Sequence, residues 1–154
     1  MKRRICILGT YHGYQYSVPR LDYLKTVEQL IRLYSVDLVS EEATGVSSST
    51  YAENIAKEVF KSNVSWKNVD LTNDERRTVS KWDGSGGTLF DFDFHSLREW
   101  VWLVRTSKNM NESALLICGC VHTFSVAEKF RWAGFDVETH VFIDKEDDAR
   151  IRKH

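Results

Sequence analysis

The stretch Arg4-Ile5-Cys6-Ile7-Leu8-Gly9-Thr10-Tyr11-His12 decides the fold. Its first part, Arg4 to Gly9, is a short apolar run with β-branched residues and a glycine at its end, which reads as a strand buried on both faces of a parallel sheet. Downstream, Leu21, Leu24, Val27, Ile31 and Tyr34 recur at helical spacing, and Pro19 falls in the first turn, where its missing N–H costs nothing. A strand followed directly by an amphipathic helix opens a βαβ unit.

The unit recurs. Asp37-Leu38-Val39-Ser40 reads as a second strand, and Thr50-x-x-Glu53 as a capping box for a helix with Tyr51, Ile55 and Val59 on one face. Val64 to Leu71 is a weaker strand, followed by a second Thr-x-x-Glu start at Thr72/Glu75 and the loop Gly84-Ser85-Gly86-Gly87. Ser96-x-x-Glu99 reads as the cap of a helix whose Trp100-Val101-Trp102-Leu103-Val104 run is apolar nearly all round, which predicts a central buried helix. Ala114 to Cys118 is a fourth strand, Phe124 to Ala133 a helix stopped by Gly134, and Val137 to Ile143 an alternating last strand. From about residue 144 the chain reads as a solvated charged tail. Strands alternating with helices, joined by right-handed crossovers, predict one three-layer α/β/α domain over residues 1–154, with a mostly parallel sheet of about five strands.

Composition bounds the function. Twenty-one basic and 22 acidic residues nearly cancel, so nucleic acid is not an expected partner. Met1-Lys2-Arg3-Arg4 imitates a signal peptide's positive region, but the apolar run behind it, Ile5 to Leu8, is shorter than the roughly 7 to 15 residues such a signal needs. No stretch reaches the roughly 20 apolar residues of a membrane span, so a cytoplasmic location is expected. Cys6, Cys118 and Cys120 are few and odd in number, and Cys118-Gly119-Cys120 lacks Cys-x-x-Cys spacing, so reduced thiols are expected.

Ligand sites in parallel α/β sheets lie beyond the carboxyl ends of the strands. Here strand one gives Gly9-Thr10-Tyr11-His12, strand two Glu41-Glu42, and strand four Gly119-Cys120-Val121-His122, so two of the three repeat Gly-x-x-His. In this reading each glycine lets the backbone turn sharply off the sheet and the histidine three residues on points over the edge. Neighbouring strands lie only ~5 Å apart, which lets such side chains converge. Neutral imidazole ligates metals and titrates near neutrality, and a nearby glutamate can ligate, orient the ring or accept a proton. Sequential glutamates on an extended backbone point to opposite sides, so Glu42 is expected in the pocket and Glu41 in reserve as a base. Arg98, read as the second helical residue behind Ser96, would place a cation at a helix's electropositive end, suited to an anion or oxyanion. Asp91 and Asp93, alternating with Phe90, Phe92 and Phe94, read first as an approach segment and second as extra carboxylate ligands, whereas His95, His140 and His154 lack a comparable setting.

The set Gly9-x-x-His12, Glu41-Glu42, Arg98-Glu99 and Gly119-x-x-His122 resembles the superfamily that joins TraB/Tiki-type proteins, ChaN-like proteins and erythromycin esterases. The resemblance implies an α/β fold whose pocket is formed by His12, Glu42, Arg98 and His122. Tiki-type members are similar to metal-dependent peptidases, erythromycin esterases use histidine as a base on an ester, and ChaN-like members bind haem. The expectation is therefore a hydrolase of an ester- or amide-type bond in a small-molecule or peptide substrate. In it His12, Glu42 and His122 hold a divalent ion (Mn, Co or Zn) or activate water directly, and Arg98 stabilises developing negative charge. The alternative is a non-catalytic module binding a small anion or haem in the same pocket. A third reading is a partner-binding protein using exposed tryptophans such as Trp66 or Trp82.

Overall fold

The computed structural model describes residues 1–17, 20–83 and 92–153. Pro19, the Gly84-Ser85-Gly86-Gly87 loop, Asp91 and His154 lie outside the described residues, as do the side chains of Trp82 and Asp93. Five strands, β1 (Arg4–Thr10), β2 (Leu38–Glu41), β3 (Ser65–Asn68), β4 (Ser113–Gly119) and β5 (Asp136–Phe142), form one sheet in the order β3-β2-β4-β1-β5. Every pairing is parallel, with Gly9 opposite Cys118 and Thr10 opposite Gly119 in the β1/β4 register. The continuous apolar runs occupy the middle: all seven residues of β4 and six of the seven in β1 are buried. Alternating or polar sequences form the edges, since β3 and β5 contain no fully buried residue.

The helices are α1 (Gly13–Tyr16), α2 (Leu21–Leu33), α3 (Tyr51–Asn54), α4 (Asn73–Asp83), α5 (Phe92–Asn109), α6 (Thr123–Trp132) and α7 (Lys145–Ile151). From β1 to β2 to β3 the chain advances in one direction across the sheet, and α2 and α3 cover one face. From β3 to β4 to β5 it returns, and α5 and α6 cover the other, as right-handed crossovers require. Alternate strand residues feed the two layers. Ile5, Ile7, Ala114 and Leu116 pack with Trp102 and Phe130, whereas Cys6, Leu8, Leu115 and Ile117 pack with Tyr23, Val27 and Ala52. The sequence expectation of a single-domain α/β fold with a parallel sheet is met.

Local expectations fare unevenly. Thr72 and Glu75 form the full capping box of α4, with main-chain donors bonded at 2.7 and 3.2 Å to the partner side chain. Gly134 adopts φ +93° and ends α6, with the Phe135 N–H bonded to the Phe130 carbonyl in a Schellman arrangement. After α3 the helix widens into a π-helical turn over Ile55–Phe60, which rotates the buried face onto Ala52 and Ala56 and leaves Val59 exposed. Helix α5 is not central. It buries Trp102 and Leu103 on the sheet while Trp100 and Val104 face outward, because an outer layer has only one face to bury. Ser96 lies inside α5 and not at its start, so Arg98 does not sit at the positive end of a helix dipole. The charged tail is helix α7, capped by Asp144, whose side chain accepts from the Asp147 N–H at 3.0 Å, with Glu146, Asp147 and Asp148 in its first turn. Burial, together with the hydrogen bond its hydroxyl donates to Asp147, pushes the Tyr14 phenol up to about 12, and Arg20 pairs with Asp144. Cys6 and Cys118 are buried free thiols and Cys120 is half-buried, with burial pushing Cys6 up to about 12. Among the described residues, no helix is long and apolar enough to cross a membrane.

Candidate functional site

Connections from β2 and β4 leave in opposite directions, which opens a crevice at the carboxyl ends of these neighbouring strands. A cavity of about 380 Å³ lies there, lined by His12, Tyr16, Glu42, Thr44, Asp70, Arg76, His95, Arg98 and His122 among others. His12, Glu42, Arg98 and His122 are therefore brought together, and Glu41 is not.

Glu41 ends β2 and Glu42 follows, so their side chains diverge. Glu41 is fully buried on the α1/α3 side, accepting from Gln15 Nε2 at 2.8 Å, Thr50 Oγ1 at 2.5 Å and Trp66 Nε1 at 2.7 Å. Burial raises its pKa, and the three hydrogen bonds only partly oppose that shift. Trp66 is thereby a structural partner of Glu41. Glu42, on the cavity side, accepts the Gly119 N–H on Oε2 at 2.9 Å and the Arg98 guanidinium on Oε1. His12 Nε2 stands 3.6 Å from the same Oε2.

The second Gly-x-x-His ends in a 3-10 turn, Cys120–His122, that leads straight into α6. His122 is 4% exposed, its Nδ1 is 2.7 Å from Glu99 Oε1, and its ring packs against His95 and Trp102 with centroids 4.9 and 5.0 Å away. Glu99 in turn accepts from Lys129 Nζ at 2.7 Å and from Ser125. Burial works against its ionisation, but the bonds from His122, Lys129 and Ser125 outweigh it and hold its pKa below the usual range. His122 thus sits on a charged, oriented carboxylate.

Arg98 is 5% exposed and forms a two-point pair with Asp70, Nε to Oδ1 and a terminal nitrogen to Oδ2, both at 2.9 Å. Asp70 also accepts from Trp102 Nε1 at 2.9 Å and from Arg76. Its burial opposes ionisation, yet the Arg98 hydrogen bonds and charge, with Trp102 and Arg76, keep its pKa low. Arg98 therefore clamps two buried carboxylates and does not present a free fork to a substrate oxyanion. Arg76 is a cavity cation with a donor, Nε, that lacks a partner among the described residues.

The two glycines serve a purpose other than the sharp turn expected of them. Neither has positive φ. A Cβ on Gly119 would stand 2.8 Å from His12 Nε2, and one on Gly9 would stand 1.8 Å from Thr123 Oγ1, next to His122. Each motif's glycine makes room for the other motif, so the two loops interlock across the β1/β4 pair. The sequence reading also missed Asp70, His95, Glu99 and Gln15 as members of the site. Asp70 follows β3 at the same strand end that flagged the others. His95, Arg98, Glu99 and Trp102 have i, i+3, i+4, i+7 spacing, one helix face, and this would have marked His95 once Arg98 was chosen.

Of the residues expected to hold an ion, Glu42 already has protein partners on both carboxylate oxygens, a guanidinium on one and a main-chain N–H on the other. Among the described residues no three His, Cys, Asp or Glu side chains could hold a metal ion together. No protein-family model matches the chain, and none of the curated proteins or solved structures compared with it is a significant match.

Proposed function

We propose that the protein is a hydrolase acting on an ester- or amide-type bond, with His12 and His122 as an acid–base pair and Glu42 holding the attacking water beside His12. The observation that carries this reading is that both imidazoles line one cavity with their Nδ1 atoms engaged, on Gln15 and on Glu99, so both turn Nε2 to the reaction space. The residues Gly9-x-x-His12, Glu42, Arg98 and Gly119-x-x-His122 that underlie the resemblance to the TraB/Tiki, ChaN-like and erythromycin-esterase superfamily are those lining or framing this cavity.

Water between His12 Nε2 and Glu42 Oε2 gives its proton to His12 as its oxygen attacks the carbonyl carbon. His122, oriented through Nδ1 by the ionised Glu99, gives a proton from Nε2 to the leaving oxygen or nitrogen, and exchange with solvent then removes the proton from His12 and restores the one on His122. Arg98 fixes Glu42 and Asp70, and Glu41 acts from behind the wall. The cavity is small and lined mostly by polar side chains, which suits a small-molecule or short peptide group better than haem.

A panel of esters, peptides and phosphoesters, assayed with and without Mn²⁺, Co²⁺ or Zn²⁺, tests the proposal. Turnover without added metal that falls by about 10² or more in His12→Ala and His122→Ala supports it. Turnover that requires a metal, or about one equivalent of metal bound by wild type and not by the double variant, replaces it with an ion-dependent mechanism. A second reading is favoured by the Arg76 Nε, which lacks a partner among the described residues: the cavity is a binding site for a small anion without turnover. No activity across the panel, with an anion retained through purification, selects that reading.

A further inference from the structure

Histidine tautomers in a site follow from the partners of Nδ1, and here one partner is itself held by a residue that never reaches the cavity. Gln15 is 1% exposed. Its Nε2 lies 2.8 Å from Glu41 Oε1 and 3.3 Å from the Glu42 main-chain oxygen, which can only accept, so a flipped amide would set its carbonyl against the Glu42 carbonyl and, with Glu41 ionised, against that carboxylate as well. Its Oε1 must then face His12, 2.7 Å from Nδ1, and a carbonyl oxygen can only accept. Glu41 is kept from turning by Thr50 Oγ1 and Trp66 Nε1 on its other oxygen.

We infer that Glu41, through Gln15, locks His12 in the Nδ1–H form, leaving Nε2 and Glu42 Oε2 as two acceptors that jointly demand one donor between them. At 3.6 Å apart, with hydrogen bonds of about 2.8 Å each, they are spaced for a single water to donate one O–H to each. This deepens the hydrolase reading, on which its catalytic consequence rests, by making Glu41 and Gln15 positioning residues. Glu41 is not a reserve base: its carboxylate contacts Gln15, Thr50 and Trp66 and does not line the cavity. Free imidazole in water favours the opposite tautomer, so the lock leaves a signature independent of any activity.

The test is a long-range ¹H–¹⁵N correlation spectrum of the full chain at pH about 9, above the ordinary imidazole range, with His12 assigned through His12→Ala. Wild type should show a protonated, pyrrole-type Nδ1 and a bare, pyridine-type Nε2. Gln15→Leu, close in volume at a buried position, should exchange these assignments. Glu41→Gln should give a mixture, because either end of the Gln15 amide then finds a partner. A wild-type His12 protonated on Nε2, or a Gln15→Leu tautomer unchanged, overturns the inference, and a Glu41→Gln spectrum identical to wild type removes Glu41 from it. Should Gln15→Leu fail to fold, the wild-type and Glu41→Gln spectra decide. On an active substrate, Gln15→Leu should lower kcat at least about 10-fold with KM little changed. The predicted tautomers with no turnover on any substrate would leave the lock standing and remove the hydrolase.

Discussion

Replacing Arg98 with methionine tests whether the site's charge pairing also holds the crevice together. Arg98 is 5% exposed, Asp70 1% and Glu42 8%, so its removal leaves two buried carboxylates each short of a cation. Breaking a buried pair by deleting one partner costs about 3–5 kcal/mol. Asp70 keeps Arg76 and Trp102, and Glu42 keeps the Gly119 N–H, which places the expected loss near the lower end. For a chain of this size that is a fall of roughly 6 to 12 °C in Tm, at about 2–4 °C per kcal/mol. The sign with pH is fixed by Asp70, whose folded pKa is depressed. Its contribution is present above the ordinary carboxylate value and is lost as pH falls through the folded value, so wild type and Arg98→Met should converge in acid. Urea melts followed by circular dichroism at neutral and acid pH measure both effects. In a double-mutant cycle, Asp70→Asn with Arg98→Met should cost less than the sum of the single changes. A neutral-pH loss under about 1 kcal/mol, or strict additivity in the cycle, refutes the clamp.

Gly119→Ala places a methyl 2.8 Å from His12 Nε2, a ring 45% exposed and free to swing out, so activity should fall at least about 10-fold while Tm moves by only a few degrees. Gly9→Ala, by contrast, drives a methyl to 1.8 Å from Thr123 Oγ1 in a buried wall, and should destabilise by about 1–3 kcal/mol, with Thr123→Ala restoring much of the loss in thermal melts because it removes the colliding oxygen. Glu99→Gln keeps the hydrogen bond to His122 but not the charge that stabilises its imidazolium. With leaving-group protonation impaired, kcat should fall most for substrates with poor leaving groups, which a leaving-group series reads directly.

The fold was legible where one physical cause acted alone. Arg4 to Gly9 and Ala114 to Cys118 are apolar throughout because β1 and β4 are covered on both faces, and alternation between polar and apolar residues marked β5 because an edge strand is not. Misreadings arose where two causes gave the same local signal. Ser96-x-x-Glu99 has the letters of a capping box, but the helix already runs from Phe92 and Glu99 is held by His122, Ser125 and Lys129. The charged letters from Asp144 onward read as a solvated tail because acidic residues favour both solvent and the first turn of a helix. The Asp144 cap and the contacts of Tyr14 and Arg20 distinguish the two.

The site was legible for a different reason, one that also bounds what strand-end residues can reveal. A parallel sheet delivers the residues after β1, β2 and β4 to one crevice whatever their identity, so His12, Glu42 and His122 were found by position, while the side chains that hold them come from elsewhere. Gln15 lies one turn beyond His12 and is recognised only by its contact, Glu99 lies beside Arg98 on α5, and Asp70 lies beyond the edge strand β3. The same asymmetry orders the energetics. Glu41, Asp70 and Glu99 are buried carboxylates whose hydrogen bonds are all made to protein, so they add rigidity to the wall, whereas His12 is 45% exposed and is steered by the network behind it. A cavity whose walls are this firmly paired offers a ligand few unmet groups, chiefly the imidazole Nε2 atoms and Arg76. On the proposed hydrolase reading, proton transfer runs through the histidines, because the carboxylates behind them would first have to break the contacts that keep those rings in place.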